Sequence, residues 1–574
     1  VKHGLALVLG MALLAHGVGL RNGFVYDDHR FVLENHALET ASVAELMLDP
    51  AAQTSDDDRH IFRPLRTLGF AFDLRRWGDV PFGFHLHSIL AHLVTVALAF
   101  GCLRRLLPAE NDAPALLGAA ALAVHPLGVE VVGWISSRGD IYALGFALGA
   151  LWMATLSEKP GRTRRAVAGL DTASFVLAML ATLGKESAIW LPAVAACRIV
   201  FLQRGRWASV VSLALGFGAA FVMRQWALSN VSPMQAAPHG GTWLSQVGWA
   251  LYGTGRMLTA LVLPRGLSVD YAQHTWVAGS TVWLRPQTML TAGVIILLLM
   301  SRRRAPRASF AVAWLLLAYL PSSSLLVTLR SLLNDRAAYP MLPALGVLAA
   351  LPLGVHRGAL RAAVLGSALV LIPLSIERTG VFLSDRTLWL DVLRKQPASV
   401  RAYLGLSVTE PDVNRDRREH YLLGAVAAAP AGGMLEGLAR SRLGDFLLGV
   451  RNDPERALPE LHRSLELLRF AREGSAAGAE ENVAAGSLAE ALALLGHYEE
   501  SDALLARVLE EQPHLLMLHI KRGALGLMRF ERTADPSALD VVQQGIDGAR
   551  ALQPDHPLVR ALAVRLAERR SEAD

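Results

Sequence analysis

The run FGFHLHSILAHLVTVALAFGCL, residues 82–103, holds no Asp, Glu, Lys or Arg and ends on Arg104-Arg105. A hydrocarbon core of about 30 Å takes roughly 20 helical residues, so this run reads as a membrane-spanning helix with its basic end in the cytoplasm. Working outward, comparable runs recur at 3–20, 114–133, 139–156, 166–183, 187–203, 207–227, 286–301, 308–328, 339–355 and 359–376. The fold class expected is all-α, a polytopic membrane protein with about 11 transmembrane helices. Composition agrees, with 52% apolar residues, 18% charged residues and a mean hydropathy of +0.34 over 574 residues. A net charge of +6 is too dilute over this length for a nucleic-acid surface, and no nucleic-acid partner is expected. Cys102 and Cys197 both lie in apolar runs, which leaves no disulfide framework and no cysteine zinc site.

Orientation follows from where basic residues gather. Arg104-Arg105, Lys159 with Arg162, Arg164 and Arg165, then Arg198, Arg204 and Arg206, then Arg302, Arg303, Arg304 and Arg307, then Arg357 and Arg361 fall on alternate turns. With the N-terminus inside, each cluster is cytoplasmic and the tail is external. Leu20-Arg21-Asn22-Gly23 lacks a small-x-small cleavage pattern, so the first span is read as retained. Segment 246–263 is apolar enough to span but has external flanks in this scheme, so it reads as re-entrant or interfacial. Arginine outnumbers lysine 51 to five, the bias of a GC-rich coding sequence, and the membrane is read as a bacterial inner membrane with its external face periplasmic.

After residue 378 charged and apolar positions alternate and Gly, Pro and Glu return. Two parts are therefore expected: a membrane domain over 1–378 with an external loop at 21–81, and a soluble periplasmic domain over 379–574. Within the latter, Leu495-Gly496-His497-Tyr498-Glu499-Glu500 followed by Gln512-Pro513 fits a tetratricopeptide pattern. Looser copies run from Asp453-Pro454 to Leu468 and from Gly545 to Pro554, so helical hairpin repeats are expected.

A charge at the membrane edge is costly, so its placement is informative. The topology brings to one external surface Asp27-Asp28-His29, Asn35 and Phe62-Arg63-Pro64-Leu65 from the long loop. It adds His125-Pro126 and Glu130 from the end of the third span, and Trp134, Arg138 and Asp140 from the next turn. Lys185-Glu186 and Asn334-Asp335-Arg336 complete the set. Bland readings exist for several. Arg138 with Asp140, Lys185 with Glu186 and Asp335 with Arg336 could be salt bridges between sequence neighbours, and His125 could satisfy backbone groups freed by Pro126. Glu130 lies about one turn inside an apolar helix and needs a partner. His85, His87 and His92 could suggest a metal, but His85 and His87 lie on different helix faces and no carboxylate accompanies them, which argues against one. Asp56-Asp57-Asp58 reads as a solvated loop run, and Asn230-Val231-Ser232 before Pro233 as a poor glycosylation sequon.

Adjacent carboxylates raise one of their pKa values, which suits one of Asp27 and Asp28 to act as a general base. Arg138, Lys185 and Arg336 could hold the phosphate of a lipid-linked donor, with Arg63, His125, Glu130, Asp140, Glu186 and Asp335 in support. This suits glycosyl transfer from a polyprenyl-phosphate sugar. Two aspartates without further hard ligands are too few to predict a metal, and the lipid-linked donor is the expected non-protein component.

Phe24-Val25-Tyr26-Asp27-Asp28, Phe62-Arg63-Pro64-Leu65 and Pro81-Phe82-Gly83-Phe84-His85 resemble the first external loop of the transmembrane and tetratricopeptide-repeat O-mannosyltransferases and their bacterial relatives. His125 to Glu130, Trp134 to Asp140, Gly184-Lys185-Glu186, Leu267-Ser268-Val269-Asp270-Tyr271 and Asn334-Asp335-Arg336 resemble later motifs of that family in the same order. The resemblance implies a membrane glycosyltransferase of the C superfamily (GT-C), inverting, with external active-site loops and one of Asp27-Asp28 as base. Gly128 and Ala337 depart from the pattern, and sugar and acceptor stay open, the acceptor being a protein, glycan or lipid hydroxyl. The alternatives are an assembly scaffold that recruits envelope partners through its repeats and a transporter. Charges gathered at one surface instead of the bilayer midplane disfavour the transporter.

Overall fold

The computed structural model describes residues 2–55, 61–107, 112–229, 238–272, 280–329, 331–351, 357–471 and 477–573. Asp56-Asp57-Asp58 and Asn230-Val231-Ser232 lie outside them. Every regular element among the described residues is helical. The chain divides into two compact units, Val1–Gln396 and Pro397–Asp574.

Among the described residues of the first unit six helices have the length and apolar composition to cross a membrane: His3–Arg21, Pro81–Leu106, Ile135–Ser157, Arg164–Gly184, Trp207–Ala227 and Gly366–Leu383. The pair Ala113–Val124 and Pro126–Gly133, bent by 56°, meets the same length and composition when taken together. Pro126 causes the bend, because its ring removes an amide donor and excludes the helical conformation from His125. His125 repairs the break: its Nδ1 accepts the Leu127 amide at 3.2 Å and its Nε2 donates to the Leu261 carbonyl at 3.0 Å. The other expected spans are shorter helices, Trp190–Leu202, Pro286–Ser301, Pro306–Tyr319 and Leu342–Ala350. Pro321 follows the third of these, and Pro340 in the preceding 3-10 turn and Pro343 in the first turn set the start of the fourth. Segment 246–263 lies, up to its last residue, in one unbroken helix, Trp243–Val262.

Close helix crossings depend on glycine. A Cβ at Gly346 would collide with the Leu117 carbonyl, and one at Gly255 with the Gln287 carbonyl. Such small-residue contacts let backbones approach where lipid offers little hydrophobic drive between helices.

The long loop after the first helix is folded. Ser42 and Glu45 form a capping box on Val43–Leu48, and Phe31, Leu38, Leu46, Phe70, Leu74 and Phe84 make a local apolar core beneath Pro64–Trp77. The helix Asp385–Lys395, expected in the soluble domain, belongs to the first unit. Arg378 donates to Asp391 at 3.0 Å, and Lys395 Nζ donates to the Leu267 carbonyl at 2.7 Å. The first compact unit thus runs past residue 378 to Gln396.

The second unit is a series of antiparallel helical hairpins from Val400–Thr409 to Pro557–Ala573. The Leu495-Gly496-His497 turn joins Ala477–Leu494 to Tyr498–Glu511, and Gly496 at φ +90° supplies the left-handed residue that closes it.

Candidate active site

The loop after the first helix puts Tyr26 in the left-handed region, φ +50°. The two aspartates that follow have different surroundings. Asp28 is buried and accepts the amides of Val25 at 3.1 Å and Ser136 at 2.8 Å, and the Ser136 hydroxyl. Burial pushes its carboxyl up to about 7 against the pull of these hydrogen bonds. Asp27 keeps 19% of its side chain exposed and pairs with Arg30 Nη2 at 3.1 Å. Asp28 therefore fixes the loop to the turn after Trp134, while Asp27 presents an accessible carboxylate.

Of Arg63, Arg138, Lys185 and Arg336, three are linked by the charges that act on them: Asp27 acts on Arg63, and Arg63 and Arg336 act on Lys185. Arg63 grips Glu186 through Nε at 3.0 Å and Nη2 at 2.6 Å. Although burial opposes it, Arg63 holds Glu186 well below the usual carboxylate range. Lys185 Nζ donates to both oxygens of Asp140 at 2.7 Å. Burial lowers the Lys185 ammonium, with Asp140 opposing and Arg63 and Arg336 adding to the fall, so Lys185 lies in the field of both arginines. Arg336 donates to Glu130 Oε1 at 3.2 Å and lies 4.9 Å from the centre of the Trp134 ring. Arg63 in turn senses Asp140 and Asp27 as well as Glu186.

Arg138 is set apart. It is fully buried, donating to Asp73 at 2.5 Å, Ser88 at 3.1 Å and the Phe84 carbonyl at 2.7 Å, and so ties three helices together. Asp335 also points inward, accepting from Tyr271 at 2.5 Å and Arg378 at 3.3 Å. His125 is occupied at the Pro126 bend. The three histidines on Pro81–Leu106 each have separate partners: His85 the Gly23 carbonyl, His87 Asp73, and His92 Tyr339.

Sequence reading missed Ser136, Asp73, Arg378 and Asp385. Asp385 Oδ1 accepts the Tyr26 amide at 2.6 Å, and its Oδ2 meets His29 Nε2 at 2.7 Å. The available signal was Ser384-Asp385 at a helix start, since Ser384 caps Asp385–Lys395. Nothing local pointed to Asp73, a single carboxylate within a mixed helix.

Fold and site together define an integral membrane protein with a helical-repeat tail and a cluster of charges at its helix ends. Its sequence relatives are protein O-mannosyl-transferases. Tmtc1 of Drosophila melanogaster is 33% identical over 190 residues, 32% of this chain and 21% of that protein. Tmtc2 of the same organism is 29% identical over 293 residues, 46% of this chain and 30% of that protein. A Caenorhabditis elegans protein O-mannosyl-transferase is 21% identical over 459 residues, 73% of this chain and 61% of that protein. The matched stretches thus span well under half the length of the two fly relatives. No family model matches the chain. Among solved structures, ArnT from Cupriavidus metallidurans aligns over 86% of this chain and 79% of its own in the apo state, at 16% identity and a TM-score of 0.38. Its complex with undecaprenyl phosphate aligns over 85% and 79%, at 17% identity and a TM-score of 0.36.

Proposed function

We propose that the protein is an integral-membrane glycosyltransferase that moves a sugar from a polyprenyl-phosphate donor to a hydroxyl acceptor on the external, periplasmic face. The relatives' names suggest mannose as the sugar and a protein as the acceptor. The observation that supports this reading is the accessible Asp27 carboxylate acting on Arg63, a cation whose charge also acts on Lys185.

In this account Asp27 takes the proton as the acceptor oxygen attacks the anomeric carbon, and the bond from that carbon to the phosphate oxygen breaks. The polyprenyl phosphate leaves with the electron pair and gains one negative charge, which preorganised cations stabilise. Arg63, Lys185 and Arg336 keep 23%, 13% and 29% of their side chains exposed and have the donors for this role. Glu186, Asp140 and Glu130 aim them. Asp28 holds the loop, and Arg138, with no exposed surface, supports the helices beneath it. The repeats bind the acceptor or a partner, since stacked hairpins present an extended surface and tethering raises local acceptor concentration.

The test is incubation of purified protein with a panel of polyprenyl-phosphate sugars, reading released polyprenyl phosphate. Release from one sugar above the others, with mannose expected, supports the reading. A folded protein that releases lipid phosphate from none of them, with or without hydroxyl acceptors, rules it out.

A further inference from the structure

Arg66 sits in the first turn of Pro64–Trp77 and is 1% exposed. Its stem packs beside Gly139, where a Cβ would lie 3.7 Å from Arg66 Cδ. Its guanidinium lies 4.2 Å from the centre of the Phe31 ring and 5.5 Å from that of Phe70. Arg63, Lys185 and Arg336 each face a carboxylate, but among the described residues Arg66 has no ion-pair partner, and its buried Nε and Nη2 have no acceptor. Nε and Nη2 form the edge with which Arg63 grips both oxygens of Glu186.

Burying a charged donor pair without an acceptor is costly, and aromatic faces repay only part of that cost. The same edge is the fork that matches two oxygens of a carboxylate or phosphate. The charges that act on Arg66 are those of the site: Arg63 and Arg30 oppose its charge, while Asp27 and Glu186 favour it. Burial and then Arg63 push the guanidinium down to about 9, as expected of a cation lacking its counter-charge.

We propose that Arg66 is an oxyanion-binding residue of this site, its Nε–Nη2 edge donating to two oxygens of a phosphate group that supplies the missing counter-charge. That the phosphate belongs to a lipid-linked donor rests on the glycosyl-transfer reading. That Arg66 binds a phosphate does not.

The full-length protein and its Arg66→Gln and Arg66→Lys variants would be titrated with polyprenyl phosphate and, separately, with inorganic phosphate, alongside thermal unfolding without ligand. Arg66→Gln should weaken binding by about tenfold or more. Its unliganded midpoint should hold or rise, because an uncompensated buried charge has gone. Arg66→Lys, which keeps charge but loses the fork, should fall between. Arg66-dependent binding of inorganic phosphate without binding of polyprenyl phosphate would uphold Arg66 and remove the lipid donor. Unchanged affinity in Arg66→Gln, weakening matched by a lower unliganded midpoint, or no binding of either probe by the unaltered protein would overturn the proposal. If Arg66→Gln does not fold, Arg66→Lys decides: full affinity in that folded variant overturns it.

Discussion

Asp385 holds the backbone of Tyr26 across 359 positions of sequence, its Oδ1 accepting the Tyr26 amide at 2.6 Å. The Tyr26 ring meets Trp389 edge-on at 4.9 Å, and the Gly23 amide donates to the Leu383 carbonyl at 3.0 Å. The segment that follows the last membrane helix is therefore part of the scaffold of the Asp27 loop. Asp385→Ala should lower kcat by about tenfold with KM little changed, since misplacing a base by a fraction of an ångström costs turnover more than donor binding. Asp385→Asn keeps an acceptor for the Tyr26 amide and should recover much of the loss. Steady-state kinetics on both variants checks this, and a rise in KM alone would count against it.

The buried state of Asp28 gives stability a pH dependence. Its carboxyl is pushed up to about 7 by burial, so the folded protein holds this proton more tightly than the unfolded chain. The stabilising contribution is full below the ordinary aspartate range near pH 4 and is lost as pH rises through about 7. His29 changes in the same direction. Its bond to Asp385 raises its pKa, so that pair is lost as pH climbs past the ordinary imidazole range. Between pH 5 and 8 the unaltered protein should lose on the order of 1–3 kcal/mol relative to Asp28→Asn. Thermal unfolding across that range reads the difference, and parallel curves would contradict it.

Truncation separates scaffold from tail. Ending the chain at Gln396 keeps Asp385, Asp391 and Lys395 and should leave donor hydrolysis largely intact while transfer to the native acceptor falls. Ending it at Gly380 removes the anchor of Tyr26 and should abolish both. Equal loss of both activities from the two truncations would make the repeats part of the catalytic fold.

Orientation is checked by cysteine labelling in a background lacking Cys102 and Cys197. Thr163, exposed between Arg162 and Arg164, should be shielded from a membrane-impermeant reagent in intact cells, and Val413, 88% exposed in the tail, should label. Thr163 caps the Ala166 amide, so its replacement costs about 1 kcal/mol, which a membrane bundle tolerates. The reverse labelling pattern would place the proposed site in the cytoplasm.

The long apolar helices were legible because length and charge exclusion are properties of a single segment. Residues 82–103 lie within Pro81–Leu106, and 166–183 lie within Arg164–Gly184. Where proline intervenes, hydropathy still reported an apolar run but not the shorter helix or bend that forms, as at Pro126 and Pro340. Arg63, Glu130, Asp140, Lys185, Glu186 and Arg336 were legible as charges that need partners, and their pairing was not. Each pair of near neighbours splits: Arg138 goes to Asp73, Asp140 to Lys185, Glu186 to Arg63, Asp335 to Arg378 and Arg336 to Glu130. Residues one or two apart point to different sides of their element, so their partners come from other segments that a linear reading cannot bring together.

The most direct test of the account is donor turnover in Asp27→Asn, measured as polyprenyl phosphate released with a hydroxyl acceptor present. The substitution keeps size and most hydrogen bonding while removing basicity, and a positioned carboxylate base is worth on the order of 10²–10⁴-fold. Asp27→Asn should lose about that factor with donor affinity little changed, whereas Asp28→Asn should lose less turnover and alter the pH dependence of unfolding. If Asp27→Asn, Asp28→Asn and their double variant all retain full transfer in folded protein, Asp27 is not the base and the site assignment fails.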